Sequence, residues 1–209
     1  MARRNDRHLT MNDLVTRIDT GGVDTVVVAF TDMQGRLQGK RLHGRYFADH
    51  VVLHGTEGCN YLLAVDVDMN TVDGYAISSW DKGYGDMEFV LDERTIRLLT
   101  WLPATAMVQC DLVWPDHAPV LQSPRTILRH QLARVSDHGW TALAGTELEF
   151  MVFDDSYEQA WDNAYRGLTP ANRYNVDYSL LGTARVEPLL RRIRNAMMDA
   201  GMTVEDSKG

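Results

Sequence analysis

Cysteine is scarce in this chain of 209 residues: Cys59 and Cys110 are its only two. Two thiols cannot make a disulfide framework, and a reducing compartment is the simpler reading. Long apolar runs are missing as well. No stretch of about 18 apolar residues occurs, so no segment is read as spanning a membrane. Positive charge is the minority sign, with 21 Lys+Arg against 29 Asp+Glu and a net charge of −8. That balance excludes a nucleic-acid binder whose affinity rests on a basic face. Neither G-x-x-x-x-G-K-[ST] nor G-x-G-x-x-G is present, so no P-loop or Rossmann phosphate site is available. There is no repeat and no low-complexity tract. Behind Arg3, Arg4, Arg7 and His8 no apolar core follows, so no secretory leader is read and a cytoplasmic protein is expected.

What is present is ordinary for a globular chain: 44% hydrophobic and 24% charged residues. That is too apolar for intrinsic disorder, and the length suits one or two domains. Residues 1–9 are polar and read as loose. Leu14, Val15 and Ile18 have helical spacing over residues 10–20, with Thr10 as the cap and Gly21-Gly22 as the stop. The β-branched run from Val23 to Phe30 reads as a buried strand. Asp32-Met33-Gln34-Gly35 is a turn signal, and the chain returns through Arg36–Leu42, making 23–42 a hairpin. A short helix is predicted at 45–54, and then a long loop at 55–86, of the length that is usually functional or disordered. Strands are predicted at Met87–Leu91, Thr95–Leu99 and Ala106–Leu112. Trp114–Pro119 resembles a boundary. Ser123-Pro124 opens a helix with apolar positions at Ile127, Leu128, Leu132 and Val135, ending near Gly139. A strand is expected from Trp140 to Phe153, irregular chain over 154–185, a helix from Leu189 to Ala200 after Pro188, and a new strand at Met202–Glu205.

The residues that could carry chemistry are few. In Gly145-Thr146-Glu147-Leu148-Glu149-Phe150, alternation would put Glu147 and Glu149 on one strand face. Two adjacent carboxylates repel unless a cation lies between them, and Mg²⁺ or Mn²⁺ takes such oxygen ligands. The same spacing also suits a solvated strand face. Asp66, Asp68, Asp73, Asp81 and Asp86 in the long loop fit turn chemistry. Trp80 is an unusual indole for so polar a loop. His50 and His54, four apart, read as solvent-facing or core histidines rather than metal ligands. Cys59 and Cys110 read as buried thiols. Arg191, Arg192 and Arg194 read as a solvated helix face, paired with Glu187 or Asp199.

Taken in order, these segments resemble the glutamine synthetase family. Phe30–Lys40 looks like the family's first β-grasp strands, and Gly85-Asp86-Met87 like its S-D-M segment. Gln109-Cys110-Asp111 looks like its R-C-D stretch, and Ser123-Pro124-Arg125 like its D-P-R helix start. Gly145–Phe150 matches its G-x-E-x-E-F strand, and Gly201-Met202-Thr203-Val204-Glu205 its G-x-x-V-E segment. The resemblance implies an α+β fold. A β-grasp-like N-terminal domain would occupy 1–112, and the N-terminal portion of a catalytic domain with an antiparallel sheet would occupy 113–209.

By position, the resemblance implies that Glu147 and Glu149 bind divalent metal, Mg²⁺ or Mn²⁺, and that Glu205 contacts ATP. Tyr178 would lie near the amine site. Asp73 would enter a neighbouring subunit's ammonium pocket, and Trp80 would also cross to the neighbour. Asp86 would be structural or subunit-bridging. The activity implied is ATP-dependent joining of glutamate to ammonia or a larger amine, through a γ-glutamyl phosphate. The assembly implied is a dodecamer of stacked rings with sites between subunits. In the family's F-D-G-S-S-I loop this sequence reads Val72-Asp73-Gly74-Tyr75-Ala76-Ile77. The serine that bonds ammonium is replaced by Ala76, which implies a larger amine such as a polyamine or ethanolamine. The family's next residue after Gly209 is a third metal glutamate, followed by a G-Q segment. The chain is therefore expected to be the N-terminal part of an enzyme. The alternative is a truncated, non-catalytic assembly or binding module working through its β-grasp face.

Overall fold

A computed structural model describes residues 9–81 and 83–209. The chain forms two compact units, Met1–Ala142 and Leu143–Gly209. The first therefore runs past the 112/113 boundary read from the sequence.

The first unit is built on one mixed sheet in the order β2-β1-β5-β4-β3. Helix α1 (Met11–Asp19) begins where the side chain of Thr10 accepts from the Asp13 amide and Asp13 returns the bond, a reciprocal cap that satisfies two otherwise orphaned donors. Leu14 and Ile18 of α1 are buried as their spacing requires. Leu9, expected in a loose polar lead, is also buried, and residues 1–8 lie outside the described residues. Strand β1 (Thr25–Thr31) pairs antiparallel with β2 (Leu37–His43) and parallel with β5 (Thr105–Val113). The hairpin predicted from Asp32–Gly35 is present. Gly35 takes a positive φ of 80°, and Gly39 lies so close to β1 that a Cβ would meet Val28 O at 1.9 Å.

The helical segment expected at 45–54 comprises Gly44–Tyr46, a wider turn at Phe47–Val51, and Val52–His54; together these form α2. The long loop is partly regular. Strand β3 (Thr56–Cys59) pairs antiparallel with β4 (Asp86–Leu98), and Asn60–Leu63 forms a 3₁₀ turn. Two strands expected at 87–91 and 95–99 are one, β4, with an irregular register between Asp92 and Arg97.

The core lies between one sheet face and α1 and α2. Val26, Val28, Phe30, Met87, Phe89, Ile96, Val108 and Leu112 meet Leu14, Ile18, Phe47 and Val51 there. Helix α3 (Pro124–Asp137) contacts β1 and β5, yet Ile127, Leu128 and Leu132 are exposed.

The second unit holds α4 (Tyr157–Asp162), α5 (Leu180–Thr183) and α6 (Glu187–Asp199). Helix α4 lies in a region expected to be irregular, although its reciprocal Ser156–Gln159 cap follows the S-x-x-Q pattern. The strand expected from Trp140 to Phe153 has no ladder. Its first residue is tied to the preceding helix, Trp140 N to Val135 O, and its end through Ala171 N to Val152 O, Asp154 N to Thr169 O, and a bridge between Phe153 and Pro170. A strand exists only when a neighbour takes its N–H and C=O groups, and among the described residues 141–151 forms no strand pairing. Leu143 and Leu148 are consequently 93% and 86% exposed. The strand expected at Met202–Glu205 is absent for the same reason. The Met202 amide instead closes α6 by donating to Met197 O. Among the described residues no helix is long and apolar enough to cross a membrane.

Candidate functional site

The site residues named by the sequence fall into two sets, one in each unit. In the first unit they sit on the stretch 60–86, whose position is set by the β1–β2 hairpin. Asp32 is buried at the turn and accepts from the amides of Gln34 and Arg36, from Arg36 Nε at 2.8 Å and from Gln38 Nε2 at 2.9 Å. Burial alone would raise its pKa, but the bonds from Gln38, Arg36 and Gln34 outweigh it and hold the carboxyl below its ordinary value. The donors held in place by Asp32 then reach the loop. Gln34 Nε2 bonds Val65 O, and Arg36 bonds the carbonyls of Val67 and Asp66.

Within that loop Asp66 closes its own turn by accepting from the amides of Asp68 and Asn70, the role expected of a loop aspartate. Farther along, Asn60 Nδ2 holds Ile77 O at 3.1 Å. Asp73 is exposed in a turn with Gly74 at φ 94°. Trp80 is 76% exposed and stands edge-on to Tyr84, which is edge-on to Tyr61. Asp86 opens β4 opposite Cys59.

Two of the motifs that carried the resemblance meet at a different place. Arg125 of α3 reaches Asp111 at 2.8 Å, Gln109 at 2.9 Å and Asp92, while Arg129 pairs with Asp111. Gln109-Cys110-Asp111 and Ser123-Pro124-Arg125 therefore join in one network that fastens α3 to the sheet. Sequence reading missed it, although Arg125 and Arg129 are four apart on a helix and Gln109 and Asp111 two apart on a strand. Asp92 is held below its ordinary pKa, first by Arg94 against the opposing effect of burial, with Arg125 adding to Arg94. Cys110 is buried as expected, and desolvation pushes its thiol up to about 12. Cys59, expected to be buried, is only half-buried at the end of edge strand β3.

In the second unit Glu147 and Glu149 are both exposed on the unladdered segment. Glu205 is exposed near the end of the chain. Tyr178 is 79% exposed, with a backbone φ of 57°, and its amide donates to Gly209 O at 2.8 Å. Lys208 pairs with Asp177 at 3.0 Å and lies 4.4 Å from the centre of the Tyr178 ring. The hydrogen bond to Asp177 raises the Lys208 pKa most, with smaller contributions from Tyr178 and Glu147, so Glu147 lies within electrostatic reach. Arg194 pairs with Glu187, as the sequence suggested, and also bonds Ser207 Oγ at 2.5 Å. Sequence reasoning missed Lys208, Ser207 and Gly209; no spacing rule distinguishes a lone lysine.

Carboxylate oxygens are the donor type that Mg²⁺ and Mn²⁺ take, and the exposure of Glu147 and Glu149 leaves room for phosphate or water as further ligands. Among the described residues no three His, Cys, Asp or Glu side chains are grouped to hold a metal. His50 packs against Tyr46.

Residues 121–209 match the family described as the glutamine synthetase catalytic domain. The chain is 65% identical over 201 residues to the gamma-glutamylethanolamide synthetase GlnA4 of Streptomyces coelicolor, covering 96% of this chain and 44% of that protein. It is 30% identical over 188 residues to a glutamate–isopropylamine ligase of a Pseudomonas species, covering 90% of this chain and 41% of that one. The chain thus spans less than half the length of these relatives. A solved structure of GmaS in complex with ADP is similar in fold, with TM-score 0.62 and 18% identity over 91% of this chain and 40% of that one. A novel glutamine synthase homolog is similar at TM-score 0.58 and 16% identity, over 86% and 39% of the two chains.

Proposed function

The chain belongs to the glutamine synthetase family, and on that premise we propose that the whole protein is an ATP-dependent ligase. It joins glutamate to an amine through a γ-glutamyl phosphate. The single observation that carries this reading is the 65% identity to a gamma-glutamylethanolamide synthetase across 96% of the chain. In this reading the first unit contains the β-grasp-like domain. Its parallel β1–β5 centre flanked by antiparallel strands supports that assignment.

Each residue has a task in this reading. Glu147 and Glu149 would hold Mg²⁺ or Mn²⁺ by their carboxylate oxygens. A metal held there would supply charge neutralisation for the phosphoryl transfer. Glu205 contacts ATP, and Tyr178 borders the amine. Asp73 and Trp80 belong to the subunit next door, which places each site between copies of a dodecamer. The exposure of Trp80 on a loop fixed to the hairpin supports that role. Asp73 favours a cationic amine and can take its proton when it attacks. Ala76 removes a hydroxyl from the place where the family bonds ammonium, so the pocket suits an amine larger than ammonia, with ethanolamine first. A cytoplasmic location fits the two free thiols.

The test is turnover of the whole protein with glutamate, ATP and a panel of ammonium, ethanolamine, isopropylamine and a polyamine. Ethanolamine should exceed ammonium in kcat/KM. Turnover with ammonium alone overturns the amine assignment, and turnover with none overturns the ligase.

A further inference from the structure

We infer that Lys208, with Gly209 behind it, is a positioning residue that clamps Tyr178 in its left-handed backbone conformation. The inference rests on the proposed ligase reading only for its kinetic consequence.

A tyrosine at φ 57° is in a region that bulky residues seldom occupy, and such a conformation persists only where the surroundings over-determine it. Three restraints converge on it from the end of the described chain. The Tyr178 amide donates to Gly209 O at 2.8 Å. Lys208 Nζ stands 4.4 Å over the Tyr178 ring and holds the preceding Asp177 at 3.0 Å, so one ammonium grips two successive side chains. Gly209 is half-buried and leaves no room for a side chain: a Cβ there would meet Thr183 Cγ2 at 2.0 Å and Val176 Cγ2 at 3.2 Å. The clamp is itself anchored, because Arg194 of α6 ties Ser207 while paired with Glu187. Lys208 therefore links the turn carrying Tyr178 to the segment carrying Glu205, with Glu147 in electrostatic range. Its effect on an amine would pass through Tyr178.

The test compares Lys208→Ala, Lys208→Arg and Gly209→Ala with the unaltered whole protein. In amine-saturation kinetics, Lys208→Ala should raise the amine KM roughly five-fold while kcat and the glutamate KM stay within about two-fold. Lys208→Arg, which keeps the cation, should restore the amine KM. By hydrogen exchange, Lys208→Ala and Gly209→Ala should each speed exchange of the amides from 176 to 183 and leave the interior of α6 unchanged. An unchanged amine KM in an active Lys208→Ala protein, or an Arg variant as impaired as Ala, overturns the inference. If the unaltered protein makes no γ-glutamyl amide, the ligase reading falls, and exchange decides the clamp alone: unchanged protection at 176–183 overturns it.

Discussion

Arg125 Nε meets Asp111 Oδ1 at 2.8 Å across the junction of helix α3 and strand β5, and the same guanidinium also serves Gln109 and Asp92. The planar fork of arginine reaches three separate acceptors in fixed directions, a spread that the compact ammonium of lysine does not reproduce. The Asp92 side chain is almost wholly buried, so its charge depends on these partners.

Arg125→Ala should therefore destabilise the protein by about 1–3 kcal/mol. That is less than a fully buried pair would lose, since the Arg125 side chain is 23% exposed. Urea unfolding of the two proteins measures it. Arg125→Lys should recover only part of the loss.

Acid should weaken the first unit through Asp32 and Asp92. Both carboxyls titrate lower when folded than when unfolded. The unfolded chain therefore binds more protons between the two values, and folding is favoured above the unfolded pKa. Stability should be level above about pH 5 and fall as the pH drops from about 4 toward the folded values. Asp32→Asn should lower the plateau and flatten that acid limb in a series of denaturation midpoints.

The two cysteines should differ in reactivity. Cys110 is buried, with its thiol pushed up to about 12, whereas Cys59 is half-buried. A thiol-specific reagent at pH 8 should label Cys59 alone in the folded protein and both after unfolding. Labelling of Cys110 under native conditions would contradict its placement.

The sequence made some of this architecture legible and hid the rest for identifiable reasons. Helix α1 and the hairpin rest on local chemistry, the Thr10 cap and the Asp32–Gly35 turn, so they could be read directly. Strand β3 could not. Thr56-Glu57-Gly58-Cys59 has little β propensity and is a strand only because β4 offers an edge. Gly58 is required there for a distant reason: a Cβ would meet the Phe89 ring at 2.4 Å. The alternation in Gly145–Phe150 was legible as a pattern, but a pattern does not supply the neighbouring strand that would complete it. Tyr178 was named through resemblance, while its restraints come from Lys208 and Gly209, far along the chain, where no periodicity connects them.

Gly58→Ala should accordingly cost about 1–3 kcal/mol, because the Phe89 ring must move against Phe30, 5.2 Å away between centroids. A thermal melt checks it.

Trp80→Ala should leave the stability of the folded subunit within about 0.5 kcal/mol, since the indole is largely in solvent. If Trp80 enters a neighbouring subunit, sedimentation should show a weaker assembly for the variant at equal stability. An unchanged assembly would remove that role.

The bonds from Gln34, Arg36 and Gln38 to the 65–69 stretch join residues 30 or 31 apart in sequence. Their consequence concerns time as well as place. Closing such a loop costs chain entropy before any contact rewards it, and the donors exist in the right geometry only after the hairpin has turned around Asp32. The segment bearing Asp73 and Trp80 should then gain protection after the hairpin during refolding, which puts Asp73, assigned to the amine, in order later than the turn that holds its loop.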